Sequence, residues 1–205
     1  VKPDPDSIRK LTEQQINAIR VWELPMDFTK SKPPIIVPRD VMRDVIEKYA
    51  SDPGLPKGRA AQQKLLRMPG YEQLALLFTL QAREYYGQVQ VRREPPSLQT
   101  FRQQIYPRYI LSYFLPYFGE GQIPGLLLID GRREIDVYTN FFILQDFIYD
   151  GEKMINRLEP DKSLLLQWGL DRPLADYPAP DVPGWKPRFM KKSDPNYQRY
   201  LEWIQ

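Results

Sequence analysis

The stretch from Phe101 to Phe147 most constrains how this chain folds, because it concentrates aromatic side chains in two predicted helices joined by a turn. Its first half, FRQQIYPRYILSYFLPYFGEG, repeats aromatic and aliphatic residues at helical spacing. We expect Pro107 to kink this helix and Pro116 to kink or end it. Its second half predicts a helix from Ile135 to Tyr149 that is apolar over much of its circumference. A helix of this kind is buried, so we expect the stretch to form the centre of a core.

Helical patterns also account for most of the remaining sequence. Thr12 followed by Gln15 predicts a capping-box start for the first helix, and Pro38 opens the next. The spacing of apolar residues predicts one helix over Tyr71–Tyr86, whereas the alternation over Gln88–Val91 is interpreted as an extended connector because no second strand is evident. Further helices are predicted at 59–68, from Leu98, at 163–168 and after Asp194. The predicted fold class is therefore all-α, an irregular multi-helix arrangement with long ordered Pro-rich loops.

Proline residues separate the predicted helices, and one pair of them predicts the domain boundary. The chain has 21 prolines in 205 residues, about twice the usual ~5%, and they fall mainly between the helical segments. Pro95-Pro96 predicts a division into an N-terminal helical region, 1–94, and a second helical domain, 95–205, which can also pack as one unit. The Pro-rich segment from Leu170 to Phe189 is called the wrap below. Its large side chains Tyr177, Trp185 and Phe189 favour an ordered loop over a flexible linker, since each buries upward of ~150 Å².

Composition excludes several classes of activity. The chain has no cysteine and no histidine, so it cannot form disulfides, thiolate metal sites or a triad based on either residue. A net charge of +3 without a concentrated basic patch argues against nucleic acid as a partner. No run approaches the ~18 apolar residues that a membrane-spanning helix needs.

The remaining catalytic patterns are weak, and no catalytic or metal-ligating residue is predicted. The acidic residues of the aromatic region are interpreted as solvated loop and helix-end charges rather than a glycosidase pair. Gly119 and Gly121 lack the third glycine of a phosphate-binding loop, and Ser163 beside Lys162 has the wrong spacing for a helical Ser-Lys pair. Hard-metal binding by acids such as Asp181 or Asp194 stays open. The acidic residues of the aromatic region are Asp130, Glu134, Asp136 and Asp146.

Four segments in order resemble a known family. The segments YTNFFIL, GEKMINRLEPDKSLLLQWGL, APDVPGWKPRF and SDPNYQRYLEWI resemble the C-terminal part of planctomycete-type c-type-cytochrome-like proteins. Upstream segments such as VPRDVMRDVIEKY look similar as well, so the likeness spans nearly the whole chain. The resemblance implies a cytochrome-c-like C-terminal part and a periplasmic or otherwise extracytoplasmic location. The first residue, Val1, is consistent with a processed or truncated N-terminus.

The chain departs from this family at the haem-attachment motif. The relatives carry two cysteines separated by two residues and a directly following histidine. Here Phe114 and Tyr117 stand at the positions of the cysteines, and Phe118 at that of the histidine. No cofactor-binding residue carries over, so no cofactor is predicted. We expect the bulky side chains to fill the volume of the haem; the alternative is a pocket that holds a non-covalent group.

The resemblance and this departure together predict a function without catalysis. The expected role is a haem-less structural or docking subunit of a larger extracytoplasmic complex, electron-transferring or membrane-associated. Partner binding is predicted for the wrap, at Tyr177, Trp185 and Phe189, with Trp185 as the anchor. The alternative is a binding module that keeps a small ligand or pigment in the former haem pocket. A hydrolase that uses the carboxylates ranks last.

Overall fold

A computed structural model describes residues 8–25, 27–28 and 31–205, and this part of the chain is mostly helical. The prediction of a mostly helical fold is thereby confirmed. The polar N-terminal segment VKPDPDS lies outside the described residues. The α-helices are α1 (Glu13–Trp22), α2 (Arg39–Lys48), α3 (Arg59–Leu65), α4 (Gly70–Thr79), α5 (Pro96–Thr100), α6 (Glu134–Asp146), α7 (Leu164–Gln167) and α8 (Pro195–Ile204). A π-helix, Phe101–Gly119, follows α5 directly. Two antiparallel two-stranded sheets pair β1 (Ile35–Ile36) with β2 (Gln90–Val91) and β3 (Ile148–Tyr149) with β4 (Glu152–Lys153).

The chain divides into two compact units. The N-terminal unit comprises 12–98, and the C-terminal unit comprises 99–205 together with the described residues 8–11. The sequence predicted a division between residues 94 and 95 and assigned the first residues to the N-terminal region. In the structure Leu11 donates its backbone N–H to Thr139 Oγ1 at 3.2 Å, which joins the segment before α1 to the C-terminal unit.

Helix α1 begins as the sequence predicts. Thr12 accepts the Gln15 backbone N–H at 3.3 Å, and the Gln15 side chain accepts the Thr12 N–H at 2.9 Å. This capping box satisfies two of the backbone donors that a helix start leaves free. The core of the N-terminal unit is built from buried side chains of α1, α2 and α4 such as Val21, Val41, Met42, Val45, Leu74 and Leu77.

The prediction of one helix over Tyr71–Tyr86 is wrong. Helix α4 ends at Thr79, Gln81 adopts a left-handed φ of 52°, and a 3₁₀-helix occupies Arg83–Gln88. The Ala82 backbone N–H donates to the Leu77 carbonyl at 2.9 Å, which closes the end of α4 with a wide turn. The turn keeps Ala82, Tyr85 and Tyr86 buried, so the apolar pattern continues although the α-helix does not.

The segment interpreted as an extended connector contains a strand. Gln90–Val91 pairs with Ile35–Ile36, in the register Ile35 opposite Val91 and Ile36 opposite Gln90. The partner strand comes from the proline-rich link after α1, and two residues are too few to show an alternating pattern. Pairing these short extended segments satisfies backbone groups that would otherwise be buried without partners.

The π-helix explains the spacing of the aromatic residues in the C-terminal unit. Apolar pairs recur every four residues, a longer period than the 3.6 residues of an α-helix. In a π-helix each N–H bonds the carbonyl five residues earlier, which widens the turn, and a length of 19 residues is unusual for this rare form. The helix continues past Pro107 and ends three residues after Pro116. The pairs are Ile105-Tyr106, Tyr109-Ile110, Tyr113-Phe114 and Tyr117-Phe118.

Helix α6 follows the π-helix after an irregular turn and is largely buried. The predicted helix ran to Tyr149, but α6 ends at Asp146, and Ile148–Tyr149 instead forms a strand of a hairpin whose turn has Asp150 at φ 54° and Gly151 at φ 85°. Phe142, expected to help fill the apolar faces, is 40% exposed. The helix therefore buries one broad face and leaves this ring at the surface.

Candidate functional site

The residues at the predicted haem-attachment positions lie mostly in a buried aromatic cluster. Phe114 and Phe118 are fully buried, and their ring centroids are 5.0 Å apart. Trp168 stacks on Phe114 at 6.0 Å with an interplanar angle of 7°, and it contacts Phe118 at 5.0 Å. Tyr117 is half-buried, and its ring meets Tyr113 edge-on at 5.2 Å. The rings of Phe114, Phe118 and Trp168 thus fill the interior at this point of the π-helix.

Two tyrosines of the π-helix hold the chain around helix α7. The Tyr109 hydroxyl donates to the Leu165 carbonyl at 2.5 Å, and the Tyr113 hydroxyl donates to the Lys186 carbonyl at 2.9 Å. Burial raises the pKa of both tyrosines above its usual value, so both stay protonated donors at neutral pH. The π-helix is therefore bonded to both α7 and the Pro-rich wrap.

Gly169 allows the chain after α7 to approach the aromatic cluster closely. A Cβ atom at this position would lie 2.5 Å from the Tyr109 hydroxyl oxygen and 2.7 Å from Phe189 Cε2. The Gly169 carbonyl also accepts the backbone N–H groups of Arg188 and Phe189, each at 2.8 Å. This close approach is a physical reason for glycine directly after the helix that the sequence predicts at 163–168.

The predicted partner-binding residues differ in their exposure. Trp185 is half-buried, donates its indole N–H to the Trp168 carbonyl at 3.2 Å, and has the Arg172 guanidinium 5.3 Å from its ring centroid. Tyr177 is also half-buried, and a hydrogen bond to Glu152 raises the pKa of its hydroxyl. Phe189 is fully buried, so its side chain belongs to the core and lies out of a partner's reach.

The acidic residues of the aromatic region do not share one environment. Asp130, Glu134 and Asp146 are exposed, whereas Asp136 is only 2% exposed, so the interpretation as a solvated charge is wrong for Asp136. Burial by itself raises the pKa of Asp136, but hydrogen bonds and charge from Arg133 and Lys10 lower it on balance.

The contacts of Asp136 are local and structural. Its carboxylate accepts the Arg133 side chain at 3.0 and 3.2 Å, and Lys10 Nζ lies 3.2 Å from Oδ1. These bonds link the first turn of α6 to the segment before α1. All of the positive partners are side chains of the protein itself, an arrangement typical of a structural ion pair rather than of a general acid or base.

Asn140 is a polar core residue for which the sequence analysis predicted no role. It is fully buried, accepts the Ile129 N–H at 2.8 Å and donates to the Ile129 carbonyl at 2.8 Å. Its amide also donates to the Tyr106 hydroxyl at 2.9 Å. The side chain thus satisfies both backbone groups of Ile129 in the irregular turn before α6. The sequence signal that could have indicated this role is the position of Asn140 among apolar residues of a helix predicted to be buried.

A surface groove of about 240 Å³ lies beside this network, at the start of α6. The Tyr106 hydroxyl, in addition to its contact with Asn140, donates to the Gly131 carbonyl at 2.6 Å. The groove does not include the predicted haem-attachment positions, and it is smaller than the ~300 Å³ lower end of ordinary ligand sites. Its lining is Arg102, Tyr106, Pro107, Leu111, Arg132, Glu134 and Val137.

The acids considered for hard-metal binding have structural partners. Asp181 pairs with Arg172 at 3.0 Å, and Asp194 caps α8 by accepting the Asn196 N–H at 2.8 Å. Within the described ranges, no group of three or more acidic side chains is placed to hold a metal ion. In the same ranges, no helix combines the length and the apolar character needed to cross a bilayer.

The fold and site describe a mostly helical protein whose C-terminal unit is organised around an aromatic π-helix. No family model, no curated protein and no solved structure matches the chain. The resemblance to the cytochrome-like family therefore stays a prediction from the sequence segments alone.

Proposed function

We propose that the chain is a haem-less, cytochrome-c-like protein that works as a non-catalytic structural or docking subunit. The observation that carries this proposal is the buried contact among Phe114, Phe118 and Trp168 at the predicted haem-attachment positions. Rings in mutual contact occupy the interior there, and neither Phe nor Trp offers a thioether link or an axial ligand. The proposed setting is a larger extracytoplasmic, periplasmic complex whose other members are protein subunits.

The hydrogen bonds that fix the wrap in place support a docking role. Bonds from Tyr113, Trp185 and the Gly169 backbone fix the segment between Leu170 and Phe189 before any partner arrives. A preformed loop loses little conformational freedom on binding, so more of the contact energy appears as affinity. Fixed aromatic and apolar side chains on such a loop are typical of protein interfaces.

The apolar side chains at the surface of this segment are the proposed contacts. Trp185 is half-buried, Leu174 is 39% exposed, and Met190 directly after the wrap is 66% exposed. Aromatic residues and methionine are enriched in protein interfaces. The proposed surface therefore keeps Trp185 from the sequence prediction and adds Leu174 and Met190 in place of the buried Phe189.

The docking proposal is tested by the size of the native assembly. Met190→Glu introduces a charge into the proposed surface, and Leu158→Glu is the matched control, since Leu158 is 89% exposed and lies outside the wrap. We expect tagged wild-type chain and the Leu158→Glu variant, expressed in the source cells, to elute from gel filtration in the same large complex. Met190→Glu is expected to shift to the free chain. An unchanged complex with Met190→Glu, or a wild-type chain eluting alone, contradicts the docking role.

The filled interior is tested separately by absorption spectroscopy. The protein purified from its native source is expected to show only the ultraviolet absorbance of its aromatic side chains. A Soret band or another visible band that stays with the protein through denaturant-free purification would favour the alternative of a bound ligand or pigment. This measurement does not depend on the identity of the partner, so the two parts of the proposal can fail independently.

A further inference from the structure

The end of the wrap and the residues that follow it carry a concentration of positive charge. Between Asp181 and Asp194 the sequence holds four cations and no acidic residue. All four lie within the segment 186–192, which also contains the exposed apolar side chain of Met190. We call this segment the basic strip, and its cations are Lys186, Arg188, Lys191 and Lys192.

Backbone hydrogen bonds fix the first part of the basic strip with one side towards water. Arg188 and Phe189 both donate their backbone N–H groups to the Gly169 carbonyl, each at 2.8 Å. Successive side chains of an extended segment point to opposite sides. Accordingly Phe189 is fully buried, whereas Lys186, Arg188 and Met190 are exposed. Two cations and an apolar side chain therefore share the outer side of a segment that is held in place.

The protein itself neutralises little of this charge. In the part of the chain that the structure describes, no acidic side chain forms an ion pair with Lys186, Arg188 or Lys191. Lys192 Nζ lies 3.4 Å from Asp176 Oδ2, but a solvent-exposed pair of this kind contributes little. Like charges held near one another repel, so an anionic surface placed against the basic strip is attracted to it.

Met190 gives the basic strip an apolar contact among its charges. Its side chain is 66% exposed and is followed directly by two lysines. Lysine and arginine have long aliphatic stems, so their charged ends stay at a polar surface while an apolar neighbour reaches deeper. Apolar side chains combined with Lys and Arg are typical of segments that lie in the headgroup region of an anionic bilayer.

We propose that the basic strip binds the surface of a membrane that contains anionic lipids, with Met190 inserted among the headgroups. Anionic headgroups diffuse in the plane of a bilayer and meet the cations where they lie, whereas an acidic protein needs a carboxylate fixed opposite each of them. Vesicles contain no protein, so a test with vesicles succeeds or fails independently of the proposed docking role.

Cosedimentation of the full chain with vesicles tests the membrane contact. The wild type is expected to bind vesicles of phosphatidylglycerol and phosphatidylcholine, to release them as the salt concentration rises, and to ignore vesicles of phosphatidylcholine alone. Each Lys or Arg near an anionic surface contributes roughly fivefold to binding, so Lys186→Glu/Arg188→Glu should weaken it roughly 25-fold or more. Circular dichroism of each variant checks that the fold is retained.

A matched double variant separates the basic strip from the net charge of the chain. Lys57→Glu/Arg67→Glu makes the same change in charge at exposed positions of the N-terminal unit and should bind nearly as the wild type does. Equal weakening by the two double variants would show that only the net charge matters, and it would overturn the proposal. The proposal also fails if the wild type does not bind the phosphatidylglycerol vesicles at low salt.

Insertion of the side chain at position 190 distinguishes a membrane from an acidic protein. The chain has no cysteine, so Met190→Cys provides a single site for an environment-sensitive fluorophore. We expect its emission to shift to the blue with phosphatidylglycerol vesicles and to stay unchanged with polyglutamate, a soluble polyanion. The same label on Ser51→Cys, at an exposed turn, is the control and should not shift. No shift at position 190 on vesicles that the wild type binds would assign the basic strip to an acidic protein and overturn the membrane contact.

Discussion

At the scale of single residues, the packing of the C-terminal unit depends on positions where a larger side chain does not fit. Gly169 is the clearest, because a Cβ atom there would clash with both the Tyr109 hydroxyl and the Phe189 ring. The same Tyr109 hydroxyl bonds the Leu165 carbonyl, so the contact that excludes a side chain at Gly169 also anchors α7. Gly169 and the buried Tyr109 hydroxyl thus together fix the position of α7 against the π-helix.

Gly169→Ala is expected to destabilise the protein by about 1–3 kcal/mol, the usual cost of forcing extra atoms into a packed interior. The free energy of urea unfolding measures this. The matched test is the same substitution in a Tyr109→Phe background, where the nearest clashing atom is gone. Tyr109→Phe itself should cost about 1–3 kcal/mol by leaving the Leu165 carbonyl unpaired.

In that background the further cost of Gly169→Ala should be smaller than in wild type. Equal costs in both backgrounds would show that the Tyr109 hydroxyl does not limit the space at Gly169. The double-mutant cycle isolates this coupling, because the two positions are in contact.

At the scale of the element, the sequence predicts what is encoded locally. Thr12 with Gln15 and Asp194 before Pro195 are helix starts whose partners lie within three residues, and both form as predicted. The β1–β2 pair could not be predicted in the same way, since its strands are only two residues long and come from distant segments. Local signals fix the helices, whereas tertiary pairing fixes these strands.

The candidate site was predictable only in part. The aromatic stretch predicted a buried core around Phe114 and Phe118, and both are buried. The four-residue spacing of its apolar pairs also departs from an α-helical period, and this signal could have indicated the π-helix. The sequence assigned Phe189 to the partner-binding residues, and its complete burial was not predicted because it depends on contact with Tyr109, which is far away in sequence.

The first turn of α6 carries a pH-dependent contribution to stability. Asp136 has a lowered pKa in the folded protein, so it stabilises the fold above its unfolded pKa of about 3.9. That contribution is lost as the pH falls through the folded value. Asp136→Asn should therefore cost about 1–3 kcal/mol at pH 7, because the bonds to Arg133 and Lys10 lose their charge.

Urea unfolding at pH 7 and at about pH 3 measures the effect of Asp136→Asn, and its cost should shrink at the lower pH. Asp130→Asn, at an exposed position shortly before α6, is the control and should change stability by less than about 0.5 kcal/mol. A cost for Asp136→Asn that is the same at both pH values would mean that its charge contributes nothing.

At the scale of the whole molecule, the described core keeps its polar groups mainly as neutral hydroxyls and amides. The chain has 13 tyrosines and no histidine or cysteine, so the tyrosines are its main buried titratable groups. Burial raises the pKa of Tyr106 to about 12 and raises those of Tyr109 and Tyr113 as well. Such a core is insensitive to pH across the neutral range and vulnerable to base.

The expected consequence is a cooperative alkaline transition. A tyrosine whose folded pKa is raised stabilises the fold fully below its unfolded pKa of about 10, and this contribution falls by about 1.4 kcal/mol per pH unit as the pH rises towards the folded value. Tyrosinate absorbance and far-ultraviolet circular dichroism, followed together from pH 9 upward, should show exposed tyrosines ionising first and buried ones only as helical structure is lost. Tyr109→Phe, less stable at neutral pH, should lose stability less steeply above about pH 10 because it has one such group fewer. Complete tyrosine ionisation before any loss of helix would mean that water reaches these hydroxyls in the folded protein.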